Sequence, residues 1–238
     1  MSAIEIDLDD PGTLTLWAAV GDLVQQLPQR WVLIGGLMVQ LHALEHGVLD
    51  VRFTGDIDVL GQARPQGTLR SIDAALRSDG FEMIGPDLDG YGHRYERDGL
   101  IVDVLAPDGI SPPPDLGTGV KAVGVPGGSQ ALTRSEIVTV MVRGRSFQVR
   151  RPTLLGAVLI KTRSLMVHSD PESQREDLLR LLALIADPRR VAEDLRRTER
   201  KWLRDAEARL RLSEPSLLDS EAMRNAVLAY RLLTRAAG

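Results

Sequence analysis

Between Trp31 and Leu60 the chain reads WVLIGGLMVQLHALEHGVLDVRFTGDIDVL: a short apolar run, two glycines, a helical pattern closed by Gly47, then a second apolar run broken by Asp56 and Asp58. The apolar runs read as buried strands, and the periodic segment between them as a helix ended by its glycine. On a strand, side chains alternate between faces. Asp56 and Asp58 therefore share one face while Ile57 and Val59 pack on the other. Two carboxylates a few ångströms apart repel, and apolar surroundings penalise their charge further, unless a cation sits between them. A hard divalent ion suits such a pair. Mg²⁺ takes one or two protein carboxylates and completes its octahedron with water and substrate phosphates.

A third acid recurs in the same setting. LIVDVLAP places Asp103 in the middle of another strand, flanked by Val102 and Val104. If that strand neighbours DIDVLG, three carboxylates meet on one sheet face and can hold a two-metal site. Gly35 and Gly36 sit where the first strand turns into its helix. There the amides and the helix dipole favour a phosphate, and the lack of side chains lets the anion approach.

The remaining pattern divides the chain in two. Around this core, GTLTLWAAVGDLVQQ and GTLRSIDAALRSDG read as helices, while FEMIG, GHRYERDG and LIVDVLAPDG read as short strands, with a hairpin at Arg97-Asp98-Gly99. Residues 109 to 129, rich in proline and glycine, read as a long surface loop, and EIVTVMVRGRSFQVR as two strands turning at Gly144. From Pro152 on, four segments that open at or near prolines carry helical periodicity. We expect an α/β (α+β) chain: a domain over residues 1–150 with a mixed sheet flanked by helices, and a helical bundle over 151–238. An all-parallel sheet does not suit the hairpins and short connections.

Composition excludes several classes of function. The chain of 238 residues has 43% hydrophobic residues, only 4% aromatic ones and no cysteine, so thiolate metal sites and disulfides are ruled out. A net charge of −4 supplies no general attraction to nucleic acid. The arginines of DPRRVAEDLRRTERKWLRDAEARLR alternate with acids, as on a solvated helix face. His42, His46, His93 and His168 lack zinc-ligand spacing. The acidic start is unlike a signal peptide and no apolar run reaches membrane-span length, so we expect a soluble, cytoplasmic protein.

Taken as a set, strand, Gly35-Gly36, helix, Asp56-Ile57-Asp58 and a later Asp103 resemble the polymerase-β-like nucleotidyltransferase superfamily. RFTGDIDVL, with Arg52 and Thr54 ahead of the acids, looks more narrowly like the AbiEii family of toxins from type IV toxin–antitoxin and abortive-infection systems. The resemblance implies transfer of a nucleoside monophosphate from an NTP to an acceptor hydroxyl of RNA, tRNA foremost, or of a protein, with Mg²⁺ or Mn²⁺ as cofactor and a cognate antitoxin as partner. Asp56 and Asp58 would hold the metal that bridges the triphosphate, and Asp103 would ligate a second metal or take the acceptor's proton. Gly35, Gly36, Thr54 and Lys161 would hold phosphate oxygens. In that family the helical part contributes a lysine and a later acid, which Lys161 and Asp177 match in kind and order; the second acid of many relatives is Arg180 here.

Two other readings use the same residues. The first is a nucleotidyltransferase that modifies an antibiotic. The second is a catalytically silent nucleotide-binding or partner-binding component. Arg94, in GHRYER, reaches toward the acids if its strand is their neighbour, although a strand arginine is more commonly exposed. Lys161 lies beside the apolar stripe of Leu154, Leu155, Val158 and Leu165, where a cleft edge is expected.

Overall fold

The computed structural model describes residues 3–8, 10–28, 30–50, 52–63, 67–117, 119–167 and 169–235. His168 lies outside them. The chain divides into two units, Met1–Pro152 and Thr153–Gly238.

The first unit runs β1 (Ile4–Ile6), α1 (Pro11–Gln26), β2 (Trp31–Ile34), α2 (Gly35–Glu45), β3 (Asp56–Gly61), α3 (Thr68–Ser78), β4 (Glu82–Met83), β5 (Tyr91–Gly92), β6 (Arg94–Arg97), β7 (Leu100–Pro107), β8 (Lys121–Ala122), β9 (Gly124–Val125), α4 (Gly128–Thr133), β10 (Ser135–Val142) and β11 (Arg145–Pro152). Its main sheet has the order β2-β3-β7-β6-β4, with β9 added to β7. The β3–β7 pair is parallel and the others along that path are antiparallel, so the sheet is mixed as expected. A second sheet, β1-β10-β11, completes the unit, and β5 pairs with β8.

The core forms where the strand pattern turns apolar side chains inward. Ile57, Val59, Val102 and Val104 are fully buried, against Trp17, Leu33, Leu41, Ile72 and Tyr95. Helix α3 supplies the most amphipathic face of this unit, burying Leu69, Ile72 and Leu76. Two hairpins close on two-residue turns, Asp98-Gly99 and Arg143-Gly144, with positive φ at all four residues, the type I′ geometry that matches strand twist.

Residues 109–129 depart from the loop expected of them. They contain β8, β9 and the start of α4. Two aspartates organise the segment: Asp115 accepts from the amides of Gly117 and Gly119 at 2.6 and 3.2 Å, and Asp108 from those of Gly127 and Ser129 at 2.9 and 3.0 Å. These amide bonds, with the Ser129 hydroxyl, outweigh burial and hold the Asp108 carboxyl below its ordinary range. Composition signals the turns, whereas the strands arise from their pairing partners, β5 for β8 and the end of β7 for β9.

The second unit contains α5 (Leu154–Val167), α6 (Pro171–Ala183), α7 (Pro188–Glu193), α8 (Arg197–Asp205), α9 (Glu207–Leu210) and α10 (Ser220–Thr234). It is a helical bundle in which α6 packs on α5 and α10. The third expected helix is broken into α7, α8 and α9. At the break, the Arg196 amide donates to the buried Glu199 carboxylate, and Arg200 donates to the Ala192 and Leu233 carbonyls. Leu195, Leu203, Ala206 and Leu210 are thereby all buried. No helix among the described residues is long and apolar enough to cross a membrane.

Candidate active site

The acid pair stands where the alternation of β3 puts it. Asp56 and Asp58 are partly exposed between the buried Ile57 and Val59. In the parallel β3–β7 ladder Asp58 pairs with Asp103, and in the antiparallel β6–β7 ladder Asp103 pairs with Arg94. Arg94, Asp103 and Asp58 thus form a row across three adjacent strands, with Asp56 on the same face of β3.

On the other side of β3, β2 pairs Ile34 with Asp58, and α2 begins at the next residue. The two glycines lie inside the helix's first turn rather than ahead of it. Gly35 has a φ of +69°, and a Cβ on it would stand 1.7 Å from Asp58 Oδ2. Only a residue without a side chain lets that carboxylate lie against the helix start. At Gly36 a Cβ would meet the Thr54 side chain at 2.7 Å. No side-chain hydrogen bond caps α2 at Ile34, and a helix start of this kind favours negative charge.

Thr54, itself buried, donates from Oγ1 to Asp56 Oδ1 at 2.9 Å and fixes that carboxylate's rotation. The segment carrying Thr54 is tied down in turn. Trp17 Nε1 donates to Gln40 Oε1 at 3.1 Å, and Gln40 Nε2 donates to the Arg52 carbonyl at 2.8 Å. Gln40 carries no motif, which is why the sequence does not announce this support.

Arg94 is part of the site. Its Nε and Nη2 donate to Asp103 Oδ1 and Oδ2 at 2.9 and 2.7 Å, and Nη2 lies 3.5 Å from Asp56 Oδ2. The Asp103 hydrogen bonds, with the charges of Asp103, Asp56 and Asp58, raise the guanidinium's pKa against the effect of burial. His93 Nε2 is 3.9 Å from Asp103 Oδ2. A signal for Arg94 was available: the Asp98-Gly99 turn fixes the β6–β7 register, and counting back from the Arg97–Leu100 pair brings Arg94 opposite Asp103.

Among the described residues no group of three His, Asp or Glu side chains is arranged to hold a metal ion. Asp56 and Asp58 fit one: both are carboxylates on one face, one oriented by Thr54 and the other set against the Gly35 backbone. Two acids are within the usual complement for Mg²⁺.

Lys161, expected to hold a phosphate oxygen, stands on α5 of the second unit. It is 4% exposed inside the second unit, where Nζ donates to Asp177 Oδ2 at 2.8 Å and Gln174 Oε1 at 3.1 Å. The two residues of the helical part matched by type are thus bonded to one another.

No family model matches the chain, and no curated protein does. Among solved structures the chain is similar to an antigenic nucleotidyltransferase-like protein from Paracoccidioides brasiliensis, with 16% identity over 92% of this chain and 94% of that one, at a TM-score of 0.52. The chain has the nucleotidyltransferase fold. A further structure, ANT(2″)-Ia in complex with adenylyl-2″-tobramycin, aligns over 79% of this chain and 97% of its own at 17% identity and a TM-score of 0.47.

Proposed function

We propose that the protein is a metal-dependent nucleotidyltransferase of the toxin type, moving a nucleoside monophosphate from an NTP to a hydroxyl of RNA, tRNA foremost, or of a protein. The observation that carries this reading is the convergence of Asp56, Asp58 and Asp103 on one sheet face, with Asp58 against the backbone of the glycine that starts α2. The reading rests on residues of the first unit alone.

A bound Mg²⁺ or Mn²⁺ supplies charge neutralisation for the triphosphate and the leaving pyrophosphate. Asp56 and Asp58 would hold it. The amides of the α2 start, at Gly35 and Gly36, receive phosphate oxygens in the field of the helix dipole. Thr54, donating to Asp56 Oδ1, would fix the rotation of that carboxylate for the ion. The acceptor oxygen forms a bond to the α-phosphorus as the bond to the bridging oxygen breaks and pyrophosphate departs. The acceptor's proton passes to Asp103, which is 5% exposed and adjacent to Asp58 across the ladder.

Support for the toxin-type reading comes from the resemblance of RFTGDIDVL to that family. The test is incubation of the purified protein with each α-labelled NTP, Mg²⁺ and total RNA or cell extract. Label is expected in RNA or protein, and addition of a cognate antitoxin is expected to suppress it. Label appearing only on an added aminoglycoside would favour the antibiotic-modifying reading. No label with any NTP and acceptor would favour the silent binding component.

A further inference from the structure

We infer that the site holds a single divalent cation and that the Arg94 guanidinium takes the place of a second one. The inference rests on the nucleotidyltransferase reading and concerns how this chain's own residues divide the positive charge. Asp103 is the acid that would complete a two-metal site, yet each of its oxygens accepts a hydrogen bond from Arg94, at 2.9 and 2.7 Å. The same guanidinium reaches to 3.5 Å from Asp56 Oδ2, so it lies between the two carboxylates that a second ion would bridge.

The arrangement is set by the backbone. Arg94 and Asp103 are directly paired in the β6–β7 ladder, a register fixed by the Asp98-Gly99 turn four residues away. Cross-strand partners stand a few ångströms apart, close enough for the planar fork to meet the carboxylate edge-on. Asp103 is 5% exposed, and a carboxylate so buried is stable only with its positive partner. Displacing Arg94 for a metal ion would leave a guanidinium and a dication competing for the same small space. Asp56 meets Arg94 only at the longer distance, and Asp58 lies against the Gly35 backbone. Arg94 is then a fixed positive charge that needs no metal concentration to be present, beside one exchangeable ion.

The test counts ions. Mn²⁺ is titrated into the full chain with a saturating NTP analogue that cannot be cleaved at the α-phosphorus, and bound ion is read by electron paramagnetic resonance. One Mn²⁺ per chain is expected for the wild type and two for Arg94→Gln, in which Asp103 is released to bind metal. Two in the wild type, or one in both, overturns the inference while leaving the nucleotidyltransferase reading in place. No Mn²⁺ in the presence of nucleotide overturns both. Should Arg94→Gln fail to fold, the neutral pair Arg94→Gln/Asp103→Asn removes both charges together. One Mn²⁺ bound within about threefold of wild-type affinity is then expected, and a loss of tenfold or more would mean that Asp103 is itself a ligand.

Discussion

Gly35 is the residue whose side chain, by being absent, defines the site. A methyl group there would stand 1.7 Å from Asp58 Oδ2, and the φ of +69° is one that other residues adopt at a cost. Gly35→Ala should therefore act twice. Backbone strain should lower stability by about 1–2 kcal/mol, measured by thermal or urea unfolding. The displaced Asp58 should reduce nucleotidyl transfer by roughly 100-fold, the order expected when a reacting group is moved by about an ångström. An alanine variant that transfers at the wild-type rate would mean that Asp58 has no part in the site. At this scale the sequence was informative where local geometry decides: period-two alternation put Asp56 and Asp58 on one face because no tertiary contact is needed for it. It said less about Lys161, whose partner Asp177 lies on the next helix. A helical pattern shows which face a lysine occupies but not what packs over it.

At the scale of elements, the Lys161–Asp177 pair joins α5 to α6, and its energetics follow from burial. Lys161→Ala removes the ammonium from a carboxylate that is 3% exposed. Breaking a buried pair of this kind costs about 3–5 kcal/mol, so the variant should show a clearly lowered melting temperature without nucleotide. Replacing both partners, as in Lys161→Met/Asp177→Leu, should recover most of the loss. An unchanged melting temperature for Lys161→Ala would contradict a structural role for the pair. The hairpins β6–β7 and β10–β11 were legible from Asp98-Gly99 and Gly144, because turn chemistry is local. The strands β8 and β9 were not, since such short segments become strands only when a partner is present, β5 for β8 and β7 for β9. Likewise the break between α7 and α8 has no proline or glycine to announce it, and depends on Glu199 and Arg200 capturing backbone groups after folding.

Across the whole first unit, His42 links α2 to the end of β11. Its Nε2 lies 3.0 Å from the Pro152 carbonyl, and burial together with the nearby Arg151 charge pushes its pKa down to about 3 from the usual 6.5. A histidine that folding keeps neutral binds its proton more readily in the unfolded chain. Its stabilising contribution is complete above pH 6.5 and is lost as pH falls toward 3. Unfolding free energy should thus decline by up to about 1.4 kcal/mol per pH unit from this group in that window. In His42→Gln the slope should flatten by that amount when urea midpoints are compared from pH 7 to pH 4. An identical slope would show that other groups govern the acid response. The division of the chain and the mixed sheet follow from patterns that span many residues, whereas the Arg94–Asp103 contact required a strand register to be counted. The central claim is that Asp56 and Asp58 hold a cation on which nucleotide binding depends. Its most direct test is equilibrium binding of NTP to the wild type, Asp56→Ala and Asp58→Ala, each with Mg²⁺ and with chelator. Mg²⁺-dependent binding in the wild type, weakened at least about tenfold in both variants while their folded structure persists, is the predicted result. Binding that is indifferent to Mg²⁺, or unchanged by either substitution, would contradict it.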